Sequence, residues 1–136
     1  MIDIERLLRR VVSDVFDGTV EATYFSDPKD RHAYRVHLRA PYDGGRRNAV
    51  LRASYCVFST RIVDLGVCAT NIDEDHDESE KAAALRELAV LTRAYLTGEG
   101  RVEERRRLLR THTVLTLTVD GREWELSRRW SKHPTP

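Results

Sequence analysis

The residue types best suited to bind ions, arginines and carboxylates, are concentrated in different parts of the chain. Residues 31–61 contain seven arginines and a single acid, Asp43, whereas residues 71–80 contain six carboxylates and neither Lys nor Arg. Guanidinium groups bind carboxylate and phosphate through paired hydrogen bonds, and clustered carboxylates bind cations or basic partners. Since the formal net charge is only +1, this separation of sign indicates binding surfaces of opposite charge.

The acidic segment has oxygen ligands at alternate positions, as at the start of an EF-hand calcium loop. An EF-hand requires Gly at the sixth position and Glu at the twelfth. Counted from Asp73, those positions hold Glu78 and Ala84, so the calcium pattern fails. Asp77 followed by Glu80 fits a capped helix start, where acidic residues are stabilised by the helix dipole. We therefore predict a helix start here and no metal site.

Catalytic and metal-binding motifs are absent from the sequence. The histidines and cysteines show no zinc spacing, and there is no G-x-S-x-G elbow or glycine-rich phosphate loop. A triad of Cys56, His37 and an acid would form only if the fold brought them together. We predict no cofactor and no enzymatic activity. The alternative, a small-molecule enzyme or ligand-binding protein, requires His37 to meet a neighbour in a pocket.

The two cysteines raise the question of a disulfide. If a turn centres on Ile62, Cys56 and Cys68 face each other and could be bridged. However, the N-terminus lacks the basic start of a secretory signal, and no apolar run reaches the roughly 18 residues of a membrane span. We therefore expect a cytoplasmic protein with no membrane partner and with two buried, reduced thiols.

Three helices are predicted. An apolar stripe with helical spacing predicts the first over residues 3–16. A wider stripe predicts a long central helix from the acidic segment to Gly98. A short, strongly charged helix is predicted over residues 102–109. The stripe of the first helix consists of Ile4, Leu7, Leu8, Val11 and Val15.

The strands position the arginines. Residues 20–25 predict a first strand, followed by a turn at 26–30 and a strand at 31–40 that alternates strictly. One face of that strand carries His32, Tyr34, Val36, Leu38 and Ala40, and the other carries Arg31, Ala33, Arg35, His37 and Arg39. Because the first set is apolar, we expect the arginines on the opposite, outer side.

The sequence pattern delimits the remaining strands less clearly. After a loop at residues 41–45, residues 49–69 are rich in β-branched and aromatic residues and too long for one strand. They predict two strands with a turn at 59–61 or at 64–66. Near the C-terminus, Asp120-Gly121 predicts a type I′ hairpin in which Leu117 pairs with Trp124.

Together these elements predict one α+β domain over residues 1–130, in the order α-ββββ-α-α-ββ, with a flexible C-terminal tail at 131–136. We expect a mostly antiparallel sheet of about six strands, with the N-terminal and central helices packed on one face. The other face would be open or covered by a second copy.

The predicted function is a small non-catalytic module that binds another protein, comparable in size and class to immunity proteins, antitoxins or chaperone-like adaptors. An acidic loop of one copy on the Arg-rich face of another would give a homodimer. A nucleic-acid-binding regulator is the alternative, although the pI of 7.9 is below the value of about 9 typical of such domains. The predicted partner-binding residues are Arg31, Arg35, His37, Arg39, Arg52, Asp73, Glu74 and Asp75.

Overall fold

The computed structural model describes residues 2–74, 77–128 and 131–132. The helices there are α1 (Ile4–Val15) and α2 (Glu78–Leu96). The strands are β1 (Glu21–Asp27), β2 (Asp30–Tyr42), β3 (Gly45–Ala53), β4 (Val57–Ile62), β5 (Val67–Ile72), β6 (Arg101–Arg107), β7 (Arg110–Val119), β8 (Arg122–Leu126) and β9 (Ser131–Lys132). The predicted α+β class with antiparallel pairing is confirmed.

The strands form two sheets and not the single sheet of about six strands that the sequence predicted. The first has the order β1-β2-β3-β4-β5, and the second has the order β6-β7-β8-β9. Within the described residues one backbone bridge joins them, where the Cys68 amide donates to the Ser127 carbonyl at 2.8 Å. Because β6, β7 and β8 pair with one another as hairpins, they contact the first sheet only along its β5 edge.

The predicted helix at residues 102–109 is wrong, because this segment forms β6 and the turn into β7. Its charges alternate with the period of a strand, so that Glu103 and Arg105 lie on one side and form an ion pair. A helix this short would also lack an apolar face to hold it on the core. Leu108, with φ of 57°, then starts the turn in a conformation that a helix does not allow.

Two turns differ from the sequence prediction. Asp43-Gly44 alone connects β2 to β3, with φ of 48° and 79°, so most of the expected loop at 41–45 is strand. Residues 49–69 contain parts of three strands, because an additional turn lies at 54–56. Of the two predicted alternatives, the turn at 64–66 is confirmed and the one at 59–61 falls inside β4. The Asp120-Gly121 hairpin is confirmed, with Leu117 opposite Trp124.

One buried cluster holds the elements together. Both helices pack on the same face of the five-stranded sheet and against each other, and α2 also contacts β7. The stripe predicted for α1 is buried, and Asp3 caps its first turn by accepting from the Arg6 amide. Leu117 and Trp124 of the second sheet join the same cluster. None of the described helices is long and apolar enough to cross a membrane.

The ends of two predicted elements also changed. His32, expected on the buried face, is exposed, because the pairing of β2 with β3 starts only at Tyr34 and leaves the β1–β2 hairpin projecting. Residues 131–132, the first two of the expected tail, form β9 and pair with β8. Residues 133–136 of that tail lie outside the described part of the chain.

Candidate functional site

The five-stranded sheet has a second face, opposite the helices, which we call the outer face. In the part of the chain that the structure describes, no helix covers it, and the second sheet contacts only β5. The strand register arranges its side chains in rows that run across the sheet. The two central rows are Thr23, His37, Val50, Arg61 and Cys68, and Phe25, Arg35, Arg52, Ser59 and Thr70. The alternation that predicted arginines on one side of β2 therefore places them on this open face.

Two of the predicted arginines are held by a carboxylate that the sequence analysis missed. Arg35 Nη2 lies 3.0 Å from Asp27 Oδ1, and Arg52 Nε lies 2.7 Å from Asp27 Oδ2. Asp27 is 7% exposed and also accepts a hydrogen bond from the Lys29 amide. These hydrogen bonds, first from Arg35 and then from Arg52, hold the pKa of Asp27 far below its usual value. The sequence indicated the turn that contains Asp27-Pro28. It did not indicate on which face of the sheet the Asp27 carboxylate lies.

The other predicted cations differ in their surroundings. Arg39 and Arg61 are exposed on the outer face and form no ion pair with any carboxylate that the structure describes. Arg31 is exposed in the β1–β2 hairpin, away from the central rows. The outer face therefore retains positive charge at Arg39 and Arg61. At Arg35 and Arg52, Asp27 offsets one of the two charges, and Asp30 lies 3.6 Å from Arg52.

Apolar side chains accompany these arginines on the outer face. Phe25 is 39% exposed and Ile72 is 68% exposed, while Val50 is half-buried in the central row. Beside Val50, the half-buried His37 has a buried Nε2 atom without a protein hydrogen-bond partner. The face is thus a mixed apolar and cationic surface.

The acidic loop is mainly structural. Asp77 caps α2 by accepting from the Ser79 amide at 2.8 Å, as predicted. Lys81, which the sequence analysis did not single out, is fully buried and donates to the carbonyl oxygens of Tyr55 and Asp73, each at 2.8 Å. Among the predicted partner-binding acids, Asp73 is therefore tied to Lys81, whereas Glu74 is exposed.

The prediction for Asp75 concerns a residue outside the described part of the chain. In residues 2–74, 77–128 and 131–132, no group of three metal-ligating side chains occurs.

The cysteines do not combine with His37. Cys56 and Cys68 are both free and half-buried, and burial raises the pKa of the Cys68 thiol. His37 and Cys68 share a row of the outer face, but they are separated by β3 and β4, or about 14 Å at the usual strand spacing. Cys56 lies in the turn between β3 and β4. The geometry therefore offers no cysteine–histidine pair across these strands.

Two grooves border the second sheet. One, of ≈ 500 Å³, lies between α2 and the β7–β8 hairpin and is lined by Arg86, Glu87, Asp120 and Arg122 as its charged residues. The other, of ≈ 690 Å³, lies where the two sheets meet. We call it the basic groove, because its charged lining residues are Arg61, Arg110 and Arg128, with His112 beside them. Sequence reasoning missed this groove, since its residues come from β4, β7 and the segment after β8.

The second sheet has its own charged face and an unusual hairpin tip. Arg105 bonds both to Glu103, at 3.4 Å, and to Glu125, at 2.8 Å. At the tip of the β6–β7 hairpin, Leu108 and Leu109 are each 93% exposed. The charged face is internally neutralised, whereas the tip presents apolar surface.

No protein family matches this chain, and neither a curated protein nor a solved structure shows significant similarity to it.

Proposed function

We propose that the protein is a small non-catalytic module that binds another protein through the outer face of its five-stranded sheet. The observation that supports this most is an uncovered sheet face that carries Phe25, Val50 and Ile72 beside arginines. Protein interfaces are enriched in aromatic residues and Arg, with an apolar centre and a polar rim. Antiparallel sheets often leave one face in water, but such faces are then mostly polar. The free thiols Cys56 and Cys68 support the cytoplasmic location expected from the sequence.

Charge defines the kind of partner. Because Asp27 neutralises much of Arg35 and Arg52, the outward positive charge comes mainly from Arg39 and Arg61. An acidic partner surface would meet these arginines around Val50, which lies between His37 and Arg61 in the central row. Exposed charge pairs mainly increase the association rate and are screened by salt, so binding should weaken as ionic strength rises.

The test places a photo-crosslinking residue at position 50 and, as a control, at position 6. Arg6 is exposed on α1, which packs on the opposite side of the sheet. In the native host, position 50 should give a defined adduct, and Arg39→Glu should reduce its yield or the partner's affinity about tenfold. The same adduct from position 6, or none from position 50, would contradict the proposal.

In a self-complementary version of this interaction, the partner is a second copy of the protein and the product is a homodimer. In it the exposed Glu74 of one copy faces Arg39 of the other. Light scattering at low and high salt tests this version: the dimer should dissociate as salt rises. A monomer under both conditions removes the homodimer and leaves a different protein as the partner.

A further inference from the structure

The basic groove shares Arg61 with the outer face, but Arg39 and Val50, the two positions tested above, do not line it. Its lining also includes Leu65 in the turn before β5, Val67 at the start of β5 and the first residues of β7. The volume of ≈ 690 Å³ falls within the range of about 300–1,000 Å³ that small-molecule sites occupy. The groove is thus large enough for a ligand bigger than a single inorganic ion.

The charge of this groove is of one sign. Arg61, Arg110 and Arg128 line it, and within the described residues none of them forms an ion pair with a carboxylate. The groove beside α2 is different, because its two arginines are matched by Glu87 and Asp120. In a chain with nearly equal numbers of acids and bases, an uncompensated arginine set in a concave site concentrates positive potential.

The number of positive charges indicates which anion fits. A carboxylate carries one negative charge, whereas a phosphate monoester carries about 1.5 to 2 at neutral pH and three acceptor oxygens. Arginine binds such oxygens through two parallel hydrogen bonds, and hydroxyl groups such as those of Thr111 and Thr113 add further donors. The half-buried Leu65 offers apolar contact to the rest of the ligand.

We propose that the basic groove binds an organic phosphate, with the phosphate oxygens held by Arg61, Arg110 and Arg128. The phosphate could belong to a nucleotide-sized small molecule or to the backbone of a nucleic-acid strand, since both present the same oxyanion. In either case the ligand contacts both sheets at once. Because the sheets share a single described backbone bridge, at Cys68 and Ser127, binding should raise the melting temperature.

The experiment measures binding of pyrophosphate, ADP, adenosine and a 12-nucleotide thymidine strand by calorimetry at fixed ionic strength. ADP should bind and adenosine should not. Arg61→Gln and Arg110→Gln should each weaken binding about tenfold or more, the effect of losing a charge-assisted hydrogen bond. Arg6→Gln, which removes the same charge from α1, should leave affinity unchanged. The melting temperatures of the unliganded variants confirm that each one folds.

The amide of Gly66, which lines the groove, gives a second readout by NMR during the ADP titration. A shift of its signal that saturates with the calorimetric affinity supports the proposal. Binding of the thymidine strand alone, lost in Arg61→Gln, supports the groove and identifies the phosphate source as nucleic acid. No binding of any phosphate at about 1 mM, or equal loss in Arg6→Gln, overturns it. Because Arg39 and Val50 do not line the groove, failure here leaves the crosslinking result unaffected.

Discussion

The outer face of the five-stranded sheet and the charged face of the second sheet both carry arginines, but the carboxylates near them are arranged differently. On the five-stranded sheet, Asp27 holds Arg35 and Arg52 at one end, while Arg39 and Arg61 lie elsewhere and form no ion pair with a described carboxylate. On the second sheet, Glu103 and Glu125 alternate with arginines along one network. The first face therefore keeps a net positive area, and the second neutralises itself.

The difference shows that a count of arginines in a segment does not measure the charge available to a partner. What matters is whether the fold supplies a carboxylate within hydrogen-bonding distance. Asp27 is the last residue of β1, and it reaches Arg52 of β3 because the register places Arg35 opposite Arg52. Substitutions that remove these carboxylates should therefore have different effects on the two faces.

The largest effect is expected from Asp27→Asn. Asparagine keeps the shape and can still accept from the Lys29 amide, but it removes the charge that Arg35 and Arg52 share. The melting temperature should fall by several degrees, and retention on heparin should rise because Arg35 loses its carboxylate partner and Arg52 keeps only Asp30, at 3.6 Å. Asp30→Asn is the matched control, since the Asp30 side chain is 40% exposed and lies farther from Arg52 than Asp27 does.

The same variant has a signature in pH. The two arginines lower the pKa of Asp27 below its model-compound value of 3.8, so the carboxylate stabilises the fold above that pH. This stabilisation is lost as pH falls through the folded-state pKa. Between about pH 4 and about pH 2, the natural protein should lose more stability than Asp27→Asn. If thermal melts show equal acid sensitivity, the ion pairs of Asp27 with Arg35 and Arg52 contribute nothing to stability.

A smaller effect is expected from Glu125→Gln on the second sheet. This removes one of the two carboxylates that bond Arg105, while Glu103 remains within 3.4 Å of it. Arg105 is 39% exposed and keeps its ion pair with Glu103, so solvent and the remaining carboxylate compensate part of the loss. The melting temperature should drop less than in Asp27→Asn, and heparin retention should change little. A drop as large as that of Asp27→Asn would mean that the two faces do not differ.

The smallest effect is expected at the hairpin tips, where the β2–β3 and β6–β7 turns differ. The β2–β3 turn uses Asp43-Gly44, whereas the β6–β7 turn places Leu108 at φ of 57°, where the Cβ of any residue other than Gly is sterically disfavoured. Leu108→Gly should raise the free energy of unfolding by about 0.5 kcal/mol. Leu109→Gly is the control and should not stabilise, because the backbone at Leu109 has no positive φ. Urea unfolding of the two variants decides the sign.

Local patterns predicted their elements well. The stripe of α1, the cap at Asp77 and the hairpin at Asp120-Gly121 each depend on residues within a few positions of one another. The side of β2 that carries the arginines was also predicted, since alternation follows from the geometry of a single strand. By contrast, residues 102–109 were predicted as a helix because their charges alone do not distinguish a helix from a hairpin stabilised by β7.

The sequence by itself therefore determined the α+β class, the main helices and the placement of Arg35, His37 and Arg39 on one strand face. Tertiary structure decided which of those charges remain free and created the basic groove. The reason is distance along the chain: Asp27 of β1 bonds to Arg52 of β3 across β2, and Arg61 and Arg110 line one groove from different sheets. Such contacts depend on register and sheet packing, which no local pattern encodes.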